Sequence, residues 1–242
     1  MKFGKIRYHF SRFLNPPLDP GKGYDLWADI YDSKETNLVF MLEDKILDSL
    51  LKETDLSGKV LLDFGCGTGR NWQRLLNKKP REIIGCDISR RMLEQLRVKF
   101  PDSKTYRMNR LSELPFRPES FDFIFSTLVV GHIKTLEPVF ESWYNWLRPM
   151  GSVLVTDLHP QILASGGKRT FQKGKKTYEI QNFVHSLDQL KNLCSRFDFR
   201  VIDVNEEYLS EELKEFYESK NALHIYNRFF GLPLVYGMLI RK

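Results

Sequence analysis

The sequence holds few cysteines and lacks long hydrophobic runs, and each of these absences excludes a class of protein. Cys66, Cys86 and Cys194 are its three cysteines in 242 residues. Their odd number and wide spacing match neither a disulfide framework nor a metal site, so we expect reduced thiols in a cytoplasmic protein. No apolar stretch approaches the roughly 20 residues of a membrane span. Residues 1–7 are basic but precede no apolar segment, so no secretory signal is expected.

Positive charge exceeds negative charge only modestly, and it is dispersed. The chain has 37 Lys and Arg against 31 Asp and Glu, a net charge of +6. Local clusters lie within residues 2–12 and 168–176. A basic surface can attract nucleic acid, an anionic membrane or an anionic substrate. The dispersal favours an ordinary solvated surface, and nucleic acid is not the expected partner.

The length and the hydrophobic pattern predict one α/β domain. Residues 1–23 look irregular, and residues 35–52 read as an amphipathic helix. Short apolar runs then predict strands at 60–64, 83–87, 104–108, 121–126 and 152–156. The predicted helices between most of them span 71–76, 90–100 and 137–147. Such alternation indicates right-handed βαβ units and a mostly parallel sheet covered on both faces.

The last third of the chain has a different pattern. Residues 166–180 predict a polar hairpin that turns near Lys173 and Gly174. After the hairpin, the predicted elements are a helix at 188–196, a strand at 200–204, a helix at 211–220 and a strand at 234–240. No linker separates this region from the rest. We therefore expect a single domain with an N-terminal lid and helix (1–56), a core (57–160), an insert (161–231) and a last strand (232–242).

A glycine-rich loop follows the first predicted strand and opens a helix. It reads Gly65-Cys66-Gly67-Thr68-Gly69 and comes directly after Asp63 and Phe64. Glycine permits positive φ and close backbone approach to a ligand, and a helix start offers free N–H groups. The alternatives are a plain tight turn and a dinucleotide site, whose fingerprint is Gly-x-Gly-x-x-Gly. The third glycine comes one residue early here, which argues against a dinucleotide.

Asp87 ends the second predicted strand, within Gly85-Cys86-Asp87-Ile88-Ser89. In a parallel sheet, ligands bind outside the carboxyl ends of the strands. A carboxylate at this position can accept hydrogen bonds from both hydroxyls of a ribose. Asp87 therefore supports a nucleoside ligand, although it does not distinguish between cofactor classes.

These motifs carry a resemblance to a known family. Residues 63–69 resemble the first motif of class I S-adenosylmethionine-dependent methyltransferases, and residues 85–89 resemble the second. Residues 114–124 and 146–152 are similar to the family's fourth-strand region and to the turn before its fifth strand. The resemblance covers residues 57–160 well. It implies a doubly wound, Rossmann-like sheet of seven mostly parallel strands, the last antiparallel, with S-adenosylmethionine as the cofactor.

The resemblance also implies the cofactor site. The implied cofactor-binding residues are Asp63, Gly65, Cys66, Gly67, Thr68, Gly69, Asp87, Ile88, Asn109, Leu111 and Tyr31. One departure concerns the adenine amino group, near which the family usually has an acid. This sequence has Asn109-Arg110-Leu111 there, so Asn109, Ser112 or a backbone carbonyl would have to replace that contact.

Three histidines follow predicted strand ends or the predicted hairpin. His132 follows the fourth strand, His159 follows the fifth, and His185 follows the hairpin. Histidine titrates near neutrality and can act as a base. We expect His132 and His159 to be catalytic and His185 to line the acceptor site, the alternative being structural histidines. Their spacing fits no metal motif, and no metal is expected.

The segment 24–32 is rich in aromatic residues. Its pattern, Tyr-Asp-x-Trp-Ala-x-x-Tyr-Asp, is similar to a lid in related methyltransferases. The resemblance implies that Tyr24 and Tyr31 lie near the sulfonium, where aromatic faces favour a cation, and that Tyr24 and Trp27 contact the acceptor. The alternative is a helix that packs its aromatic rings on the sheet.

Three functions are compatible with the sequence. The first is methyl transfer to O, N or C of a small molecule, aromatic acceptors being compatible with the aromatic content. The second is methylation of RNA or another nucleic acid. Against it, Asp157-Leu158-His159-Pro160 differs from the Asn/Asp-Pro-Pro-Tyr/Phe motif of base-amino methylation. The third is a non-catalytic S-adenosylmethionine-binding protein. Oligomeric state is not predicted.

Overall fold

The structure is a computed structural model that describes residues 16–33 and 37–242. The basic cluster of residues 2–12 and the predicted helix start at 35 lie outside these residues. The strands of the described chain are β1 (Val60–Phe64), β2 (Glu82–Asp87), β3 (Lys104–Arg107), β4 (Phe121–Thr127), β5 (Leu147–Leu158), β6 (Thr170–Lys173), β7 (Lys176–Glu179), β8 (Arg200–Tyr208) and β9 (Pro233–Arg241). Its α-helices are α1 (Pro20–Trp27), α2 (Leu38–Leu50), α3 (Trp72–Leu76), α4 (Arg90–Lys99), α5 (Glu137–Trp146), α6 (Pro160–Ala164), α7 (Leu187–Arg196), α8 (Lys214–Ser219) and α9 (Leu223–Phe229).

Seven of these strands form one sheet in the order β3-β2-β1-β4-β5-β9-β8. The strands from β3 to β5 are parallel to one another, whereas β9 runs antiparallel between β5 and β8. This confirms the predicted seven-stranded, mostly parallel sheet with an antiparallel last strand. β6 and β7 pair separately as the predicted hairpin.

Both faces of the sheet are covered, because successive side chains of a strand point to opposite faces. Leu61 belongs to one core, with α2 and α4, and its neighbour Leu62 belongs to the other, with α5 and α7. Every residue of β1 is buried. Burial on both faces explains why the central strands read as continuous apolar runs rather than as alternating ones.

Some elements differ from the predicted ones. α1 begins at Pro20, inside the stretch expected to be irregular. Asp19 accepts a hydrogen bond from the Lys22 N–H, and proline suits the first helical turn. β5 begins at Leu147 and passes through Met150 in a left-handed conformation, where a turn was expected. α6 and α9 were not predicted.

The carboxyl ends of the parallel strands meet at one edge of the sheet, where a ligand site is expected. Two further segments reach this edge. The hairpin β6–β7 follows β5 and α6, and the N-terminal segment is attached to its end. Leu18 N donates to Glu179 O at 2.8 Å, and Gln181 N donates to Leu18 O at 2.9 Å. No helix in the described part of the chain combines the length and hydropathy of a membrane span.

Candidate active site

The glycine loop needs glycine for two different reasons. Gly65 has a φ of +79°, and a Cβ there would lie 2.2 Å from Val129 Cγ2. Gly67 has a φ of +52°, and a Cβ there would meet no atom within 4 Å. Gly65 is therefore packed against the turn after β4, whereas Gly67 faces open space. Backbone that faces open space at a strand end can be approached closely by a ligand.

Asp87 is buried at the end of β2, beside this loop. Its Oδ2 accepts from Gly67 N at 2.8 Å, and its Oδ1 accepts from Ser89 N at 2.7 Å. Burial raises the pKa of Asp87 to about 6, although both backbone N–H groups oppose that shift. A carboxylate has about four acceptor sites, so Asp87 can still accept from a hydroxyl group beside the N–H groups of Gly67, Ser89 and Ile88.

Asp63 and Cys66 shape the loop from below. Asp63 Oδ2 accepts from Trp72 Nε1 at 2.8 Å, and burial raises the pKa of Asp63 to about 7. The buried Cys66 Sγ lies against Gly85, where a Cβ would come within 2.8 Å of the sulfur. Asp63 and Cys66 therefore contact other residues of the loop region, Trp72 and Gly85, and support the loop from inside the protein.

The N-terminal segment contacts the glycine loop and the turn that follows β2. Asp25 Oδ1 accepts from Ser89 Oγ at 2.6 Å and from Arg91 N at 3.0 Å. Thr68 Oγ1 donates to Asp32 Oδ1 at 2.9 Å. Residues 20–32, named here the cover segment, therefore lie across the glycine loop and the end of β2.

The residues expected near an adenine lie at the rim. Ile88 is 40% exposed, and a Cβ on Gly21 would lie 3.5 Å from its Cγ1. Asn109 is exposed, and Leu111 begins a 3-10 turn (Leu111–Glu113) and packs on the core. The Met108 N–H donates to Asp87 O at 2.8 Å, which holds this rim beside Asp87.

A cavity of about 100 Å³ lies between the cover segment, the ends of β4 and β5, and the hairpin. Its lining residues are Tyr24, Trp27, Tyr31, Asn37, Val39, Phe40, Leu128, Leu158, Lys168, Arg169 and Thr170. Of these eleven described residues four are aromatic, two are basic and none is acidic.

The aromatic rings of the cover segment pack on the hairpin. Trp27 stacks on Phe171 with ring centroids 4.8 Å apart and an interplanar angle of 7°. Phe171 in turn stacks on Tyr178 at 5.3 Å. Tyr24 stacks on the other side of Trp27 at 5.8 Å, and Tyr31 meets Trp27 edge-on at 4.8 Å. The cover segment thus lines the cavity, as expected of a lid. Its aromatic rings also pack, but on the hairpin and not on the sheet.

His132 lies behind Tyr24. Its Nδ1 is 2.8 Å from Gln181 O, which can only accept, so Nδ1 carries the proton. Nε2 then accepts from the Tyr24 hydroxyl at 2.9 Å. Burial, followed by the positive charge of Arg169, lowers the pKa of His132 to about 3. The imidazole is therefore neutral at physiological pH. It does not line the cavity itself but is hydrogen-bonded to Tyr24, which does.

Arg169 was missed as a site residue, because the sequence placed it in an exposed basic cluster. It is buried and pairs with the buried Asp157. It also donates to Leu128 O at 3.1 Å, to Asn182 Oδ1 at 3.1 Å and to the Tyr24 hydroxyl at 3.4 Å. The sequence offered one signal for this contact. Asp157 is a lone acid at the end of an apolar strand, and a buried carboxylate needs a cation as partner.

Residues 62–155 match the family described as the methyltransferase domain. These residues contain the glycine loop, Asp87 and the strand ends just described. The chain therefore contains a methyltransferase domain, and its fold is that of S-adenosylmethionine-dependent methyltransferases. By its domain it is a methyltransferase. Two DhpI structures of the same fold, each 18% identical to this chain, are complexes with S-adenosylhomocysteine and with S-adenosylmethionine.

Individual relatives of this methyltransferase are distant. An uncharacterized methyltransferase of Emericella nidulans is 28% identical over 76% of the chain and 77% of its own length. A tRNA U34 carboxymethyltransferase of Helicobacter pylori is 28% identical over 65% of the chain, and the match spans 62% of that enzyme. A methyltransferase structure from Mesorhizobium loti has a TM-score of 0.63 at 17% identity, covering 83% of this chain and all of that one. That structural likeness shows the fold.

The geometry of the site fits S-adenosylmethionine as a cofactor. Gly67 leaves open space at the strand end, and Asp87 can still accept from a ribose hydroxyl. The N–H groups of residues 65, 66, 67 and 69 already donate to protein oxygens, so the loop offers close backbone approach rather than a row of free donors. The open glycine and the oriented carboxylate form the kind of cradle that a nucleoside requires.

The structure does not bring His159 and His185 to the cavity of the methyltransferase. His159 is buried, its Nδ1 accepts from Gln161 N at 3.1 Å, and its Nε2 lies 2.7 Å from Glu206 Oε1. Leu158 lines the cavity, and the next side chain faces away from it. His185 Nε2 donates to Ile133 O at 2.8 Å. The expectation that His132 and His159 both face the acceptor is therefore corrected, because His132 contacts Tyr24 and His159 contacts β8.

Proposed function

We propose that this methyltransferase transfers the methyl group of S-adenosylmethionine to O, N or C of a small-molecule acceptor. The observation that carries the proposal is the aromatic cavity of about 100 Å³ at the ends of β4 and β5. The cover segment, the start of the hairpin and the start of α2 line it. Flat ring walls without acidic lining residues suit a small and preferably aromatic acceptor.

The cofactor would be held by backbone groups of residues 65–69 and by Asp87. Ile88, Asn109 and Leu111 form the rim on the adenine side, and Tyr31 offers a ring face to the sulfonium. When bound, the cofactor supplies an electrophilic methyl group. Most of the catalytic work of the chain is then to align the acceptor and to exclude water.

Tyr24 and Trp27 would contact the acceptor directly. A hydroxyl acceptor could donate a hydrogen bond to the Tyr24 oxygen, whose own proton lies on the bond to His132 Nε2. His132 would then assist through Tyr24, rather than by touching the acceptor. An amine acceptor that is neutral at the working pH would need no base.

The expected location of this activity is a reducing compartment, the cytoplasm. The support for it is that Cys66, Cys86 and Cys194 are all buried as free thiols. Disulfides are rare in the cytosol, where thiols are kept reduced.

The second candidate is an RNA methyltransferase, and two observations favour it. Several relatives are tRNA U34 carboxymethyltransferases. Lys175 and Lys176 are exposed at the tip of the hairpin that borders the cavity. Phosphate contacts by such lysines would make binding strongly dependent on salt.

One experiment compares the two candidates. The protein is incubated with methyl-labelled S-adenosylmethionine and either a fraction of cellular small molecules or total RNA. We expect label in a small-molecule product, and a large fall in turnover for Trp27→Ala with nearly unchanged cofactor affinity. Label in RNA, lost on the double substitution Lys175→Ala and Lys176→Ala, would favour the second candidate.

A further inference from the structure

The buried pair of Arg169 and Asp157 joins four separate parts of the chain. Arg169 comes from the start of the hairpin, and Asp157 comes from β5. Arg169 also contacts the Tyr24 hydroxyl of the cover segment and Leu128 O after β4. Its guanidinium thus donates to four different groups: one carboxylate, one amide, one carbonyl and one phenol.

The same pair shapes the turn that carries His132. Leu128 has a φ of +60°, a conformation that is costly for leucine, and its carbonyl is held by Arg169. Asp157 Oδ2 accepts from Gly131 N at 2.7 Å. A Cβ at Gly131 would lie 3.1 Å from that oxygen and 2.8 Å from Asn182 Oδ1. Both ends of the turn are therefore tied to the ion pair.

We propose that Arg169 is the positioning residue of the acceptor site, fixing the Tyr24 hydroxyl against His132 Nε2 in the cavity wall. The proposal rests on the proposed function, because it assigns the Tyr24–His132 pair to the acceptor side of the reaction. Arginine is required here because its planar fork donates in several fixed directions at once. A lysine ammonium can keep the charge but cannot span all four partners.

The charges around His132 make this proposal measurable. Tyr24 faces the imidazole from α1, Arg169 from the start of the hairpin, Asp157 from β5, and the Gln181 carbonyl from the segment after the hairpin. Arg169 disfavours the imidazolium, and Asp157 favours it. Removing Arg169 leaves the carboxylate of Asp157 uncompensated. His132 should then take up a proton at a higher pH.

The test uses nitrogen-15 NMR of the histidine side chains, which reports tautomer and protonation without a known acceptor. In the wild type we expect His132 to remain neutral, with the proton on Nδ1, down to about pH 5. In Arg169→Met the titration midpoint should rise by about two pH units or more. Arg169→Lys should restore a low midpoint without restoring the wild-type Nε2 signal. Identical His132 signals in the wild type and in Arg169→Met would overturn the proposal.

Arg169→Met leaves a buried carboxylate unpaired and can destabilise the fold, so two further variants provide a test that does not depend on it. Arg169→Met combined with Asp157→Asn removes both charges, and its midpoint should lie between those of the wild type and Arg169→Met. Tyr24→Phe keeps the ion pair and removes the hydroxyl, so the His132 Nε2 signal should shift with little change in melting temperature. The His159 signals serve as the internal reference, since its polar partners are Gln161 and Glu206. An unshifted Nε2 signal in Tyr24→Phe would also contradict the proposal.

Calorimetry with S-adenosylhomocysteine separates this proposal from the proposed function. Tyr24→Phe should bind the demethylated cofactor within about twofold of the wild type. If the wild type did not bind S-adenosylhomocysteine, the proposed function would be wrong. The NMR result would still decide the role of Arg169.

Discussion

At the scale of single residues, Gly65 and Gly58 separate the cost of backbone conformation from the cost of packing. Both have a positive φ, +79° and +68°. A Cβ on Gly65 would lie 2.2 Å from Val129 Cγ2, whereas one on Gly58 would meet no atom within 4 Å. We predict that Gly58→Ala lowers the free energy of unfolding by about 1 kcal/mol and that Gly65→Ala lowers it by roughly 3 kcal/mol or more.

Urea denaturation of the two variants gives this comparison directly. Val129→Ala in the Gly65→Ala background should recover part of the loss, because it removes the methyl groups that the new Cβ meets. If Gly58→Ala and Gly65→Ala lowered the free energy of unfolding equally, the contact with Val129 would not account for the cost of a side chain at position 65.

Asp63 makes stability depend on pH in a defined direction. Burial raises the pKa of Asp63 to about 7 in the folded protein, above its value in the unfolded chain. The folded state therefore binds more protons between about pH 4 and pH 7, and this contribution to stability is lost as the pH rises through that window. Above the folded-state pKa the cost of the buried charge is fully present.

We predict that Asp63→Asn removes this dependence. The amide oxygen can still accept from Trp72 Nε1, so the hydrogen bond is kept and the buried charge is lost. Relative to the wild type, the variant should gain on the order of 2–4 kcal/mol in unfolding free energy between about pH 4 and pH 8. Denaturation curves across that range measure the difference. Parallel curves for the two proteins would refute a raised pKa at Asp63.

Predictability at this scale depends on how local a contact is. The glycine loop and Asp87 could be found because the motif, the strand and the turn are adjacent in sequence, and Gly67 and Asp87 are joined by one hydrogen bond. Asp157 indicated that a cation was needed, but Arg169 could not be identified as that cation, since its burial depends on how the hairpin docks on β5. The direction of the His159 ring depends on Glu206, a residue of β8.

At the scale of elements, the cover segment depends on the hairpin. Phe171 lies between Trp27 and Tyr178 in a stack of rings. We predict that Phe171→Ala increases hydrogen exchange of α1 by roughly tenfold or more, because Trp27 loses its stacking partner and buried area. Hydrogen exchange by mass spectrometry, read over residues 20–33, tests this.

Tyr178→Ala is the matched control. Tyr178 stacks on the far side of Phe171, so its loss should affect exchange in α1 much less. Exchange that rises equally in both variants, or in neither, would mean that the stack does not hold the cover segment in place.

The bounds of elements were predictable where apolar runs end at strong breakers. β1 has the predicted bounds, and β4 differs by one residue. β5 was predicted too short, since Pro149 and Met150 read as a turn, whereas the strand continues through them with a register shift opposite Phe121 and Phe123. α9 was missed because its short sequence gives little helical period.

At the scale of the whole molecule, the sheet order brings the ends of β1, β2, β4 and β5 to one edge. Two segments from distant parts of the sequence then close over that edge, and Leu18 joins them to each other beside Ile180. The family resemblance predicted the sheet. The enclosure of the cavity by the cover segment and the hairpin depends on tertiary packing, which a single sequence does not reveal.

The central claim is that a methionine-derived nucleoside binds at the glycine loop and Asp87. Calorimetric titration of the wild type, Asp87→Ala and the exposed control Asp203→Ala with S-adenosylhomocysteine and with NAD tests it most directly. We predict that the wild type and Asp203→Ala bind S-adenosylhomocysteine and not NAD, and that Asp87→Ala binds it more weakly by about 1.5–3 kcal/mol, the scale for losing hydrogen bonds to a charged group. Binding of NAD in its place, or an unchanged affinity in a folded Asp87→Ala variant, would contradict the account.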